Sequence, residues 1–222
     1  MKTAVIIPAA GTGSRMGVDK QLMPLKGKPV LTYTLAAFDS HDEVDEIIVV
    51  APRNVADVIL PYGFEKVKTV VEGGDNRQAS VWAGIQQINS DVTNVLIHDG
   101  ARPLVTHNAI SDVLACVRRG IPAISGVKPK DTIKLADNCN MVKETPNRDK
   151  VWIVQTPQGF PAATIIKAHE LAITENFLGT DDAMLVERMG VEIYMVEGDY
   201  HNIKLTTPED RAVAEALLSL TS

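Results

Sequence analysis

Short β-branched runs recur along this chain with helical patterns between them, and that alternation limits the folds open to it more than any other feature. Strands are expected at Ala4–Ile7, Glu46–Val50, Val67–Val71, Asn94–His98 and Ala123–Val127, and later at Val151–Gln155 and Glu192–Val196. Helical patterns fall near Val30–Phe38, Asn54–Leu60, Arg77–Ile88 and Ala109–Arg118. Nearly continuous apolar strands separated by helices imply a doubly wound, mostly parallel α/β sheet covered on both faces, of Rossmann-like form. The chain closes on a helix whose start is written out: Thr207 suits the N-cap, Pro208 the first helical position, and Glu209 and Asp210 the positive end of the dipole. With 222 residues a sizeable core is within reach, and residues 1–222 read as one domain.

One segment breaks the alternation. Residues 128–150 are polar, with two short runs on either side of Asp137-Asn138-Cys139-Asn140. They are expected to form a β-hairpin arm projecting from the sheet. An isolated two-stranded arm is marginal in water, so it should pack on something, most simply a second subunit.

Where the first strand ends, the chain enters a glycine-rich loop, Pro8-Ala-Ala-Gly-Thr-Gly-Ser-Arg-Met-Gly17, with Lys20 and Gln21 close behind. Glycines let backbone approach an anion closely, and successive N–H groups form a concave anion site. Arg15 and Lys20 add full positive charges there, which is equipment for a polyphosphate. A P-loop is excluded, because Gly17 is followed by Val18 and Asp19 rather than by Lys and Ser or Thr. A dinucleotide fingerprint also fails: its third glycine would fall on Met16, and no acidic residue closes the second strand.

Charge points the same way. The chain carries a net −6, yet residues 10–28 hold Arg15, Lys20, Lys26 and Lys28 against Asp19 alone. A focused positive patch in an acidic protein suits a small anionic ligand and argues against a nucleic-acid or membrane-surface binder. Cys116 and Cys139 have no metal-ligand spacing and read as reduced thiols of a cytoplasmic protein. No apolar run approaches the ~18 residues of a membrane span.

In open α/β sheets ligands lie beyond the carboxyl ends of the strands. Three such ends carry polar residues here: the first loop, Glu72-Gly73-Gly74-Asp75-Asn76-Arg77, and His98-Asp99-Gly100-Ala101-Arg102-Pro103. Asp99 is the metal candidate, because magnesium arriving with a polyphosphate is held by one or two carboxylates plus phosphate oxygens. Arg102 reads as an orienting ion-pair partner and His98 as a packed, hydrogen-bonded side chain. Gly74 and Asp75 suit a base or ribose edge, and Ser80, one turn into the next helix, could face the same crevice. Lys204, on an expected short strand with Ile203 and Leu205 turned away, is isolated from other cations and reads as a directed lysine. Thr180-Asp181-Asp182 reads first as a helix N-terminus, with a second metal carboxylate as the lesser option.

Taken in order, Pro8-Ala-Ala-Gly-Thr-Gly-Ser-Arg-Met, Lys20-Gln21, Gly73-Gly-Asp-Asn-Arg77, His98-Asp-Gly-Ala-Arg-Pro103, Asp131-Thr132, Thr156-Pro-Gln158, Thr180-Asp-Asp182 and Asn202-Ile-Lys204 resemble the 2-C-methyl-D-erythritol 4-phosphate cytidylyltransferases of the non-mevalonate isoprenoid pathway. The resemblance spans essentially the whole chain. It implies a nucleotidyltransferase fold, magnesium as cofactor, and a homodimer whose β-arm reaches the neighbouring active site. The implied reaction transfers CMP from CTP to a sugar-alcohol phosphate and releases pyrophosphate. By the same resemblance Arg15, Lys20 and Lys204 would be catalytic. Ala10, Gly11, Thr12, Gly13, Gly74, Asp75, Ser80 and Asp99 would bind CTP, with Asp99 on magnesium. Thr132 and Arg148, on the arm, would bind the acceptor across the dimer. The attacking phosphate is already an anion, so no strong general base is required and His98 is not assigned one.

One departure stands out: many family members carry an aspartate just before the Asn-Ile-Lys element, where this chain has His201. The nearest rival, ribitol-5-phosphate cytidylyltransferase, resembles Leu-Ala-Gly-Gly where this chain has Pro8-Ala9-Ala10-Gly11, and Ala-Val where it has Gly100-Ala101. A non-catalytic nucleotide sensor would need neither Lys20 nor the arm residues.

Overall fold

The computed structural model describes residues 1–11 and 20–220. In chain order its elements are β1 (Lys2–Pro8), β2 (Pro24–Leu25), β3 (Lys28–Pro29), α1 (Val30–Asp39), β4 (Glu46–Val50), α2 (Arg53–Ile59), β5 (Val67–Val71) and α3 (Arg77–Ile85). There follow β6 (Val92–Ile97), α4 (His107–Val117), β7 (Ala123–Val127), β8 (Leu135–Ala136), β9 (Val142–Glu144) and β10 (Ile153–Pro161). The chain ends with α5 (Ala162–Thr174), α6 (Asp182–Arg188), β11 (Tyr194–Glu197) and α7 (Pro208–Leu220).

Seven strands form one sheet in the order β11-β7-β10-β6-β1-β4-β5. β1 lies inside it, between β6 and β4 and parallel to both. Its five internal residues are all buried, as apolar runs in a sheet covered on both faces must be. The alternation of side chains divides the core in two. Val5 and Ile7 pack under α1 and α4, whereas Ala4 and Ile6 pack against α3 and α5. A smaller cluster around Leu25, Val30, Leu205 and Ala214 seats α7 beside the β2–β3 turn.

The expected mostly parallel sheet is present, with one strand reversed. β10 runs antiparallel to both β6 and β7. It is also longer than the expected Val151–Gln155, continuing through Pro157 to Pro161. Proline has no N–H for a ladder and normally marks a strand's end. Here it falls where the register with β7 shifts, between Val154 and Gln158, so no ladder bond is lost. Helix α5, which covers this strand, has no counterpart among the expected helices.

The final helix starts as expected. Asp210, inside its first turn, reaches back to accept bonds from the backbone N–H groups of Thr206 and Thr207 at 2.7 and 2.8 Å. Burial pushes the Asp210 carboxyl up, but these bonds win and hold it below its usual value. The expected strand around Lys204 is absent. Residues 202–206 belong to no helix or ladder, and Leu205 N–H donates instead to the Ala101 carbonyl at 2.8 Å. In the 128–150 segment, β8 and β9 pair antiparallel around a turn held by Asp137, whose carboxylate accepts from Cys139 and Met141 N–H.

Candidate active site

Three strand ends converge on one crevice. β1 opens into Ala10 and Gly11, β5 into Gly74–Arg77, and β6 into Asp99–Ala101. Together with Pro8, Lys20, Gln21, Ser80 and Lys204 these line a cavity of about 350 Å³. A second cavity of about 320 Å³ lies alongside, lined by residues of β10, Thr180 and Asp181. Arg77, Asp99 and Lys204 belong to the walls of both.

Asp99 is the hub. Its Oδ1 accepts from Arg77 Nε at 3.1 Å, and its Oδ2 meets Lys204 Nζ at 2.7 Å and Arg102 Nε at 3.8 Å. Burial alone would push this carboxyl up, but Arg77, Lys204 and Arg102 outweigh it and hold it well below the usual carboxylate range. Lys204 is therefore not isolated from other cations, as the sequence suggested. Charges far apart in sequence meet at one carboxylate, and spacing alone cannot reveal such a meeting.

The hub rests on a buried bracket. His98 is fully buried and donates from Nε2 to the Arg102 carbonyl at 3.1 Å. A carbonyl can only accept, so Nδ1 is left to accept from the Thr156 hydroxyl at 3.0 Å. The same hydroxyl oxygen accepts from Asp99 N–H at 3.1 Å. Burial holds the imidazole down at about 4, which makes His98 a neutral strut. Arg102 donates to the Asn202 carbonyl at 2.7 Å, and Asn202 donates to the Thr156 carbonyl at 2.8 Å. These bonds stitch the Lys204 segment to the Asp99 turn.

On the opposite wall, Asn76 caps α3 by accepting from Ala79 N–H at 2.8 Å. The Ser80 hydroxyl donates to the Asn76 carbonyl at 2.9 Å and accepts from Gly74 N–H at 3.2 Å. It thus shapes the Gly73-Gly74 turn. Gly73 itself abuts the first loop: a Cβ there would stand 2.4 Å from Ala10 Cβ. At Gly100 a Cβ would stand 2.8 Å from the Gln21 side-chain oxygen, so alanine there would crowd the wall.

Of the expected site residues, Ala10, Gly11, Lys20, Gly74, Asp75, Ser80, Asp99 and Lys204 line the first cavity. Arg15, Thr12 and Gly13 lie outside the described residues. Thr132 and Arg148 are exposed on the 128–150 segment and line neither cavity of a single chain. His201 is exposed at a turn and also lines neither. Sequence reasoning gave no role to Arg77, Thr156 or Gln158. Arg77 carried a usable signal: a cation at the start of the helix after a glycine turn, at a strand's carboxyl end.

A metal can be tested against these side chains. Among the described residues no three His, Cys, Asp or Glu groups converge as a metal cage. Asp99 nevertheless offers a firmly ionised carboxylate at the junction of the cavities. One such oxygen donor fits a magnesium ion that arrives on phosphate oxygens and needs few protein ligands.

Comparison with known proteins bears on the same chemistry. The family model described as 2-C-methyl-D-erythritol 4-phosphate cytidylyltransferase matches residues 3–220. The protein of that name from Caldanaerobacter subterraneus subsp. tengcongensis is 45% identical over 225 residues, covering 98% of this chain and 99% of its own. That from Syntrophotalea carbinolica is 46% identical over 226 residues, with 98% and 97% covered. The crystal structure of 4-diphosphocytidyl-2C-methyl-D-erythritol synthase from Anaerococcus prevotii superposes with a TM-score of 0.89 at 34% identity, covering 98% of this chain and 96% of that one. The Thermus thermophilus cytidylyltransferase gives 0.83 at 33% identity, with 99% and 100% covered.

Proposed function

The chain belongs to the 2-C-methyl-D-erythritol 4-phosphate cytidylyltransferase family, and from that premise we propose that it transfers CMP from CTP to 2-C-methyl-D-erythritol 4-phosphate. The products are 4-diphosphocytidyl-2-C-methyl-D-erythritol and pyrophosphate. The observation that carries the reading is the wall shared by two adjacent cavities, built of Arg77, Asp99 and Lys204. A transfer between two phosphate-bearing substrates needs two spaces that meet at a charged junction.

CTP occupies the first cavity, its base and ribose against Gly74, Asp75 and Ser80 and its phosphates against Ala10, Gly11 and Lys20. Thr12, Gly13 and Arg15 extend that contact. The acceptor phosphate enters from the second cavity and attacks the α-phosphate in line, and pyrophosphate leaves. Lys20, Arg15 and Lys204 stabilise charge on the reacting phosphates, and the shared wall of the two cavities holds the two substrates in register. Asp99 would hold magnesium together with phosphate oxygens, and the ion supplies charge neutralisation. No side chain has to remove a proton, which agrees with the neutral, fully hydrogen-bonded His98.

Thr132 and Arg148 complete the acceptor site of a second copy in a homodimer. Support for this comes from their exposure, and from the exposed apolar Leu135, Met141 and Val142 beside them. Two unpaired thiols, Cys116 and Cys139, fit a cytoplasmic setting, and no helix among the described residues is long and apolar enough to cross a membrane.

The test is pyrophosphate release with CTP and magnesium, comparing methylerythritol 4-phosphate with ribitol 5-phosphate. Release with the first alone is expected. Release with ribitol 5-phosphate alone would change the pathway. Silence with both while CTP binds would make the protein a nucleotide sensor.

A further inference from the structure

Arg77 is pulled between two carboxylates. Its Nε donates to Asp99 Oδ1 at 3.1 Å, and its Nη1 donates to Asp182 Oδ2 at 2.7 Å. Asp99 stands at the junction of the cavities, but Asp182 lines neither and is 1% exposed. It opens α6, and that opening is clamped to β10. The Gln158 amide donates to the Asp181 carboxylate at 2.8 Å, and its oxygen accepts from Ala183 N–H at 3.2 Å. His169 Nε2 lies 3.4 Å from the other Asp182 oxygen. The start of α6 that carries Asp182 is thereby held in place.

We infer that Asp182 is a positioning residue that acts through Arg77 to orient Asp99 for the transfer proposed above, on which the inference rests. A guanidinium with Asp99 as its one partner would turn both prongs of its fork onto that carboxylate and occupy both oxygens, the preferred bidentate geometry. Asp182 draws Nη1 away, so Arg77 engages Oδ1 alone and Oδ2 stays with Lys204 on the cavity wall. Stability does not account for the arrangement. Burying a carboxylate to pair it with arginine costs about as much desolvation as the attraction returns, and apolar residues of the same volume would pack at least as well. The arrangement gains a fixed direction for Asp99.

The test uses the full chain and four proteins: unaltered, Asp182→Asn, Arg77→Met and the double variant. Pyrophosphate release gives kcat, and calorimetric titration gives the Kd for CTP. Asp182→Asn is expected to lower kcat about tenfold or more while the Kd for CTP stays within about threefold of the unaltered value. Added to Arg77→Met, it should cost less than about twofold further, because the residue it acts through is gone. A kcat for Asp182→Asn within about twofold of the unaltered protein would overturn the inference, and so would losses that multiply in the double variant. Should Asp182→Asn fail to fold by circular dichroism, Arg77→Lys carries the test. It keeps the charge but cannot span two carboxylates, so it should show the same fall in kcat, and unchanged turnover would overturn the inference. An unaltered protein that binds CTP but releases no pyrophosphate would overturn the proposed function and the inference with it.

Discussion

Replacing Gly73 by alanine should disable the site while leaving the fold standing. The added Cβ would sit 2.4 Å from Ala10 Cβ and 2.7 Å from Ser80 Oγ. Carbon atoms pack at about 3.5–4.0 Å, so the β5–α3 turn and the first loop must separate by on the order of 1 Å. Neither neighbour can rotate away, since Ala10 Cβ is fixed by its backbone and Ser80 is tied to Asn76 and Gly74. Overpacking of this kind costs about 1–3 kcal/mol, which lowers Tm by roughly 2–4 °C per kcal/mol in a chain of this size. Function should suffer more, because the two loops that separate line the cavity proposed for CTP. A misplacement of about 1 Å can cost on the order of 100-fold in rate. Gly84→Ala is the control: its Cβ would meet Ile6 Cγ2 at 2.6 Å and Val50 Cγ2 at 3.0 Å in the core beneath α3. It shares the strain without touching the cavity, and helix propensity returns about 1 kcal/mol. The assay pairs thermal denaturation with kcat/KM for CTP. Gly73→Ala with unaltered kcat/KM, or an equal loss in Gly84→Ala, would refute the reasoning.

Lys20→Ala should leave far-ultraviolet circular dichroism unchanged and lower kcat by about 10²–10³, the usual effect of removing one transition-state charge contact; turnover within tenfold would remove Lys20 from the reacting phosphates. Arg148→Ala should raise KM for the acceptor and leave the Kd for CTP unchanged, and in dimers mixed with Lys20→Ala it should restore one working site per pair. A weakened CTP affinity instead would place Arg148 in a different site. Asp210→Ala removes the acceptor for two N–H groups at the start of α7 and should cost about 1 kcal/mol in chemical denaturation. Its carboxyl is held below the ordinary value in the folded chain. That contribution is therefore complete above the ordinary aspartate pKa and disappears as pH falls through the lower folded value. The stability gap between Asp210→Ala and the unaltered protein should accordingly close in acid, and a gap that widened there would contradict the assignment.

Much of this architecture is written locally. A strand buried on both faces needs an apolar run such as residues 47–50, and the Thr207-Pro208-Glu209-Asp210 cap satisfies its own N–H groups, so both are legible without a partner. Glycine-rich strand ends and the cations near them pointed to a phosphate cavity for the same reason: backbone approach and charge are properties of short segments. β10 was less legible, because Pro157 masks a strand that takes its bonds from neighbours on both sides. The junction of the two cavities was legible only in part. Asp99 was legible as a metal candidate with Arg102 beside it, but Arg77 reads locally as a helix start, Lys204 as a lone directed cation and Asp182 as part of a helix N-terminus, so nothing tied these three to Asp99. Their meeting depends on β1, β5 and β6 ending at one edge while Gln158 pins α6 beside them. Residue chemistry determined what each group could hold. Only the sheet order decided which groups share a carboxylate, because electrostatic coupling falls off with distance in space and carries no trace of separation along the chain.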